Sequence, residues 1–589
     1  MDLSELILAE DELREAIATV DLSGVEWPLC THYVTSFGRA IDLYPPLRAP
    51  LQFLAIVCGW HLRPDDPESP FDPAVVTETT RSPAWHQVSD AQVNVVAAVA
   101  LEVVDAELRA RLCDLVWLRE RNHSLARAAA EAYVRSTERL VAGRKIIGEK
   151  ERLMRAVQLA AQLGRGDDFF LRIIDNVAAI ADTPQLPHCS LAICMDVLLD
   201  ARSGDANRLH ALVTARASEI EATEPNPLWE RRFWKLASGF ARILKDTALS
   251  DTALRKVATT FEREAEGASV RAVAAHFWHC ALQTYRQIGA QDDIARVHRQ
   301  MLDAQSHIRS EMISLDAGPV DLTEIVSESR KRILPDDKDR SLASLVFATQ
   351  WLLKADVREK AKATITEFPF QHMFGSIRVT QSGKTAANAP GVVPSATEIP
   401  DDRVIAEMCQ QYRYYLPIVT NGRIEPMRYE LLRRHAVTLD DIAQFAHYSP
   451  FVPPGREPLF VVGLHAGVHG RFIEAVHTLV LQLENSIRFL LVQNGSIASS
   501  VRTDGVQNEY DLNRLLTMSE TESLLGEDLA FAMRVLFTER FGYNLRNEMA
   551  HGMLEPGAFF ADSAIYAWWL ILRFVSGPAA HALLSAQSS

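Results

Sequence analysis

Positive charge is scarce in this 589-residue chain. Its 61 lysines and arginines face 76 aspartates and glutamates, for a formal net charge of −15. That balance excludes a generic nucleic-acid binder, because any contact with RNA or DNA must come from a local patch working against the global field. Cysteine is sparse too. Cys30, Cys58, Cys113, Cys189, Cys194, Cys280 and Cys409 are odd in number and scattered, mostly in apolar helical contexts. They exclude a disulfide frame and point to buried thiols in a reducing compartment. The chain lacks an uncharged apolar run of about 18 residues, the rough threshold for a membrane span. Its best candidate, "AIYAWWLILRFV", is short and carries Arg573. The opening "MDLSELILAEDELREAIA" is acidic and amphipathic, without the basic region and apolar core of a signal peptide. The expectation is a cytoplasmic protein that does not span a membrane. No lysine follows Lys384, a bias that a GC-rich genome would explain.

What is present is ordinary globular material, 48% apolar and 23% charged, long enough for two or more domains. Residues 1–345 predict an irregular, α-solenoid-like helical array that senses or binds a partner. "QVNVVAAVALEVVDAELRARLCDLVWLRER" has the three- and four-residue apolar spacing of amphipathic helices. "GRGDD" (Gly164–Asp168) and "GAQDD" (Gly289–Asp293) read as glycine-terminated helices followed by aspartate caps. "AAHFWHCALQTYRQIGAQDDIARVHRQMLDA" resembles a helical hairpin of the tetratricopeptide type, without a strict period. Residues 346–402 predict a transition segment, with a short strand or two in "ITEFPFQHMFGSIRV" and then a Pro/Gly/Ser-rich linker from Val379 to Asp402. Residues 403–463 predict a helical connector, and 464–589 a bundle of four or five helices joined by short loops.

Several motifs fail on their own chemistry. "SGKT" at Ser382–Thr385 lacks the glycine of a phosphate-binding loop, since Arg378 stands at that position. "PDDK" at Pro335–Lys338 reads as a solvated turn. His465 and His469 have zinc-pair spacing but no third ligand, and His276 and His279 read as packing residues. No metal and no cofactor is expected.

The C-terminal bundle carries the chemistry. Its first helix, "HGRFIEAVHTLVLQLENSIRFLLVQNG", sets Glu484 and Arg488 four residues apart as a helix-supporting ion pair. "VQNEYDLNRLL" predicts a second helix, "GEDLAFAMRVLFTERFG" a third closed by Gly542, and "FADSAIYAWWLILRFV" the last. Between the last two lies "NLRNEMAHGML", Asn544–Leu554. On a helix Asn544, Asn547, Glu548 and His551 share one face, Leu545, Met549 and Met553 form the apolar face, and Arg546 stands at its edge, about 140° from His551. Gly552 ends the helix.

"LRNEMAHG" resembles the signature of the HEPN superfamily: Arg546, polar Asn547, then His551 after four intervening residues. The resemblance extends through "FVPPGREPLFVVGLHAG", "AVHTLVLQLENSIRFLL", "DGVQNEYDLNRLL" and "LFTERFGYNLRNEMAHGML", in the order found in a C-terminal domain family. That family is shared with the endoplasmic-reticulum membrane-associated RNA degradation proteins, and the resemblance covers about residues 445–555. It implies a HEPN-like helical bundle, so that with the helical array read before it the whole protein is expected to be all-α. It also implies a metal-independent endoribonuclease, dimeric through that bundle, acting as a bacterial toxin or antiviral effector on an RNA substrate.

The residues suit that chemistry by themselves. Histidine titrates near about 6.5 and can take or give the proton when a 2′-hydroxyl attacks phosphorus. Arginine stays charged and fits phosphate oxygens. His551 is thus the expected acid/base, Arg546 the phosphate-stabilising cation, and Asn547 the residue orienting one of them. Asn544, Glu548, Gly552, Glu484 and Arg488 are expected in support. The alternative is a non-catalytic helical adaptor that binds protein or RNA, in which Arg546 only pairs with an acid such as Glu484 or Glu548. A nucleotide-responsive regulator is weaker, given the broken phosphate loop.

Overall fold

Asp105, Asn122 and Asp167 each turn a side chain back onto the amides of the helix that follows. Asp105 accepts from the Leu108 amide at 2.9 Å, Asn122 from Leu125 at 3.3 Å and Asp167 from Phe169 at 2.9 Å. Each bond satisfies a donor that a helix start leaves without an intrahelical partner. Repeated along the chain, such starts produce an all-α protein. The computed structural model describes residues 3–22, 29–76, 81–143, 148–223, 226–313, 318–380, 383–393 and 398–585. Among these, strands occur only as three short antiparallel pairs. The chain divides into two compact units, Met1–Ile308 and Arg309–Ser589.

In the first unit successive helices pack on one another. Ala106–Glu120 meets His123–Ala142, which meets Glu149–Gly164. Farther on, Ala206–Thr223, Pro227–Ile243, Thr247–Gly267 and Arg271–Gln287 stack in the same way. Gly164 (φ +142°) and Gly289 (φ +66°) make the expected left-handed breaks. Asp167 caps as expected, whereas Asp293 spends its carboxylate on ion pairs with Arg255 and Arg296. The core also buries charge. Arg155 grips Asp114 with both side chains fully inaccessible, and Glu107 takes Arg111 at 2.8 Å and Arg152 at 2.6 Å. Burial alone would raise the Glu107 carboxyl, but Arg152 and Arg111 overcome it and hold the group far below the ordinary range.

The second unit has one hydrophobic core running from Ile333 to Ala580. Several sequence expectations change here. Residues 309–345, read as the end of the array, lie in this unit, and the segments 346–402, 403–463 and 464–589 contribute to a single core. The linker is partly structured: Ser376–Val379 pairs with Thr385–Ala389 in a hairpin that buries Ala389. The "SGKT" stretch falls on its turn, where Gly383 has φ +76°, while Ser382 itself lies outside the described residues, as do 394–397 of the linker. "VQNEYDLNRLL" is not one helix. Gln507–Glu509 pairs with Ser499–Val501, and only Leu512–Leu515 is helical, capped by Asp511. "PDDK" starts the helix Lys338–Val346, with Asp337 as its cap.

The helix Asp562–Ser585 is long and apolar enough to cross a membrane by length and composition, and 56% of its most apolar 18-residue window is buried inside the protein. Trp568 donates to the Leu464 carbonyl at 3.2 Å and Trp569 to that of Leu345 at 3.0 Å. Arg573 donates to the Thr349 carbonyl and lies 4.1 Å from the Trp351 ring centre. This helix is thereby the spine of the unit's core.

Candidate functional site

The site begins on the helix Phe472–Gln493. Phe472, Val476, Leu479, Val480, Leu483, Ile487 and Leu491 are buried at helical spacing, which sets Glu484 and Arg488 on its flank, one turn apart. Arg488 donates to Glu484 at 3.0 Å and to the Tyr510 carbonyl at 2.7 Å, fastening the hairpin of residues 499–509 to the helix. Glu509 lies 3.2 Å from the Arg488 Nε as a second ion partner.

The motif helix is shorter than its sequence suggests. It spans Leu545–Ala550, enters from Asn544 in the left-handed region (φ +55°) and leaves through His551 and Gly552 (φ +66°). Gly542 makes the entry feasible, since a Cβ there would stand 2.1 Å from the Val535 carbonyl oxygen. The turn closes when the Tyr543 amide donates to that oxygen at 2.7 Å. Gly542 therefore permits a close backbone approach after the helix Glu527–Phe537 has already ended, rather than terminating it. Leu545 and Met549 are buried, anchoring the motif helix to the core.

Arg546 faces Glu484, not His551. Its Nη2 and Nε donate to one Glu484 oxygen at 3.0 and 3.2 Å, while Arg488 takes the other oxygen. Its Nη1 donates to the Asn547 side-chain oxygen at 3.2 Å. The Asn547 amide in turn donates to Asn544 at 2.7 Å and to Asn513 at 3.0 Å, and Asn513 donates back to Asn547 at 3.2 Å. Asn547 thus orients the arginine through its side chain, and reaches His551 only through the backbone bond from the His551 amide at 3.1 Å. Arg546 and Glu484 remain 19% and 17% exposed, so the guanidinium is fixed without being shut away.

His551 stands at the end of the motif helix with its side chain exposed, and its ring makes no hydrogen bond among the described residues. The helix ends at Ala550, yet the His551 amide keeps the helical bond to the Asn547 carbonyl, so His551 follows Asn547 by one turn. Glu548 is half-buried and forms no ion pair among the described residues. Gly552 is exposed. Within one copy the arrangement is a fixed cation, an asparagine trio that holds it, and a free imidazole at the edge. Asn513 was not legible as a member. It is 34 residues from Asn547, on a four-residue helix inside a segment whose pattern read as a longer one.

His465 and His469 have ring centres 4.4 Å apart and planes tilted by 45°, and His469 Nε2 lies 3.0 Å from the Val437 carbonyl oxygen. Burial and the neighbouring His469 both lower the basicity of His465. Among the described residues no three His, Cys, Asp or Glu side chains gather into a metal shell.

A family model described as a domain of unknown function (DUF7380) matches residues 21–172. No curated protein matches the chain. The matched segment lies in the first unit and contains the buried pairs of Glu107 and Asp114. The motif helix lies outside it.

Proposed function

We propose that the second unit is a metal-independent endoribonuclease of the HEPN kind, a reading supported by a fixed Arg546 near the start of one short helix and an exposed His551 at its end. In this reading His551 takes the proton of an RNA 2′-hydroxyl. The O2′–P bond forms, the P–O5′ bond breaks, and a proton returns to the leaving oxygen, so the products are a 2′,3′-cyclic phosphate and a free 5′-hydroxyl. Arg546 offsets charge on the phosphoryl oxygens, and Asn547 fixes its direction. Arg546 and His551 are on different sides of the motif helix. A homodimer in which two motif helices meet would set the arginine of one copy beside the histidine of the other. The first unit would hold a protein partner or a trigger, and the activity would be that of a cytoplasmic toxin or antiviral effector.

A second reading is favoured by one observation: Arg546 is already paired with Glu484. In that reading the bundle is a non-catalytic adaptor and the arginine is part of its packing. End-group analysis of RNA incubated with the protein in EDTA separates the two. Cyclic-phosphate ends support the nuclease, and RNA recovered intact supports the adaptor.

A further inference from the structure

Four cations of the second unit line one cleft of about 810 Å³: Lys360, Arg378, Arg403 and Arg413. Among the described residues Glu407 is the only carboxylate on its wall, and none of the four cations has an ion-pair partner. Arg403 is buried and Arg378 half-buried, and a guanidinium removed from water without an anion loses hydration and gains nothing in return. The cost is visible at Arg378, Arg403 and the adjoining His372. Burial and the charge of Arg413 push Arg378 down to about 10. Burial also lowers the basicity of Arg403, and burial together with Arg403 lowers that of His372.

The hydrogen bonds specify what is missing. His372 and Arg403 are 5% and 6% exposed, and Arg403 donates to His372 Nδ1. Arginine can only donate, so Nδ1 accepts and His372 is the neutral tautomer protonated at Nε2. That Nε2 and the Arg403 Nε are both buried without a partner. The two orphan donors call for an acceptor, and the unpaired cations beside them favour one that carries negative charge. Arg403 reaches Ser376 with its remaining nitrogen at 3.0 Å.

The cleft also adjoins the motif. Arg378 donates to the Arg540 carbonyl at 3.0 Å and Arg413 to that of Phe541 at 2.8 Å, both in the turn that leads into Asn544. Tyr543 and Phe541 contribute to its wall, and Tyr414, 60% exposed, offers an aromatic face. Arg403, Glu407, Gln410 and Tyr414 project from one side of the helix Asp401–Val419.

We infer that this cleft binds the phosphate of a nucleotide unit, with the guanidiniums on the phosphate oxygens and Tyr414 against the base. The inference does not depend on the cleavage reading, since such a site operates in a nuclease or an adaptor. The unit belongs either to an RNA strand or to a free nucleotide.

The test uses the full chain with His551→Ala, so that cleavage does not interfere. The probes are a labelled single-stranded RNA oligonucleotide, ATP, GTP and inorganic pyrophosphate. Binding of the RNA or of a mononucleotide is expected to weaken about tenfold or more in Arg378→Gln/Arg413→Gln, and to be unchanged in Lys362→Gln, whose partner is Glu359 outside the cleft. RNA bound in preference to mononucleotides assigns the strand, and the reverse assigns the free nucleotide. If the double variant loses its helical circular dichroism, Lys360→Gln/Tyr414→Ala, altered at exposed positions, serves instead and is expected to weaken binding severalfold. Failure of every nucleotide probe to bind, pyrophosphate binding alone, or binding unaltered in a folded cleft variant would overturn the inference. Loss of cleavage by His551→Ala with cleft binding retained separates this site from the catalytic one.

Discussion

Glu484 holds two arginines with one carboxylate: Arg546 on one oxygen at 3.0 Å and Arg488 on the other at 3.0 Å. The motif cation is therefore positioned and partly neutralised by the same group. Glu484→Gln keeps an acceptor for one arginine and removes the charge. Its expected effect is tighter RNA binding, with a steeper salt dependence by roughly one phosphate contact, read from binding titrations across a salt series. Unchanged affinity and slope would mean that Arg546 does not face the RNA.

Asn547→Ala removes the acceptor for Arg546 and separates Asn544 from Asn513. The expected loss of stability is about 1–3 kcal/mol, measured by urea unfolding. In the nuclease reading, cleavage falls further than stability alone accounts for, because the arginine loses its direction.

Gly467→Ala tests the spine of the bundle. A Cβ at this position would lie 2.0 Å from Trp568 Nε1, and the buried tryptophan cannot withdraw without losing its bond to the Leu464 carbonyl. The expected cost is about 1–3 kcal/mol, as for overpacked cores, seen as a lowered thermal midpoint.

In the first unit, Glu149 gives a pH signature. Burial pushes its carboxyl up to about 7, against an opposing hydrogen bond from Ser190 at 3.2 Å. The folded value lies above the unfolded one, so the folded state holds the proton more firmly. The contribution to stability is greatest below the ordinary carboxylate range, declines as pH rises through about 7, and is level beyond. Glu149→Gln is expected to match the wild type near pH 4 and to exceed it at pH 8 by about 2–3 kcal/mol. Parallel curves across that range would contradict the assignment.

Asp114→Ala leaves Arg155 buried without its anion, at an expected cost of about 3–5 kcal/mol. Asp114→Leu/Arg155→Met is expected to recover much of it. Thermal unfolding of the two variants checks both figures.

The helical character was legible because apolar residues recur at helical spacing, as in Phe472–Gln493, where the stripe and the ion pair of Glu484 and Arg488 both appear in the folded unit. Helix lengths were less so. The Asp511 cap and the strand pairing of Gln507–Glu509 are local choices that outcompete a weak helical pattern. The motif helix likewise ends at Ala550, because Gly552 turns the chain one residue beyond His551. The nearness of Arg546 to Glu484 spans 62 residues, and only the pairing of two helices reveals which acid it finds. The cleft was least legible of all. Arg378, Arg403 and Arg413 come from a hairpin and a helix with no spacing rule, and Arg378 stood out only as the residue that breaks a phosphate-loop pattern.

The most direct test of the central claim is an RNA cleavage assay with EDTA present, comparing the wild type with Arg546→Ala and His551→Ala. The account predicts cleavage by the wild type and a loss of about a hundredfold or more in each variant, with helical content retained. Equal activity in all three proteins would contradict it.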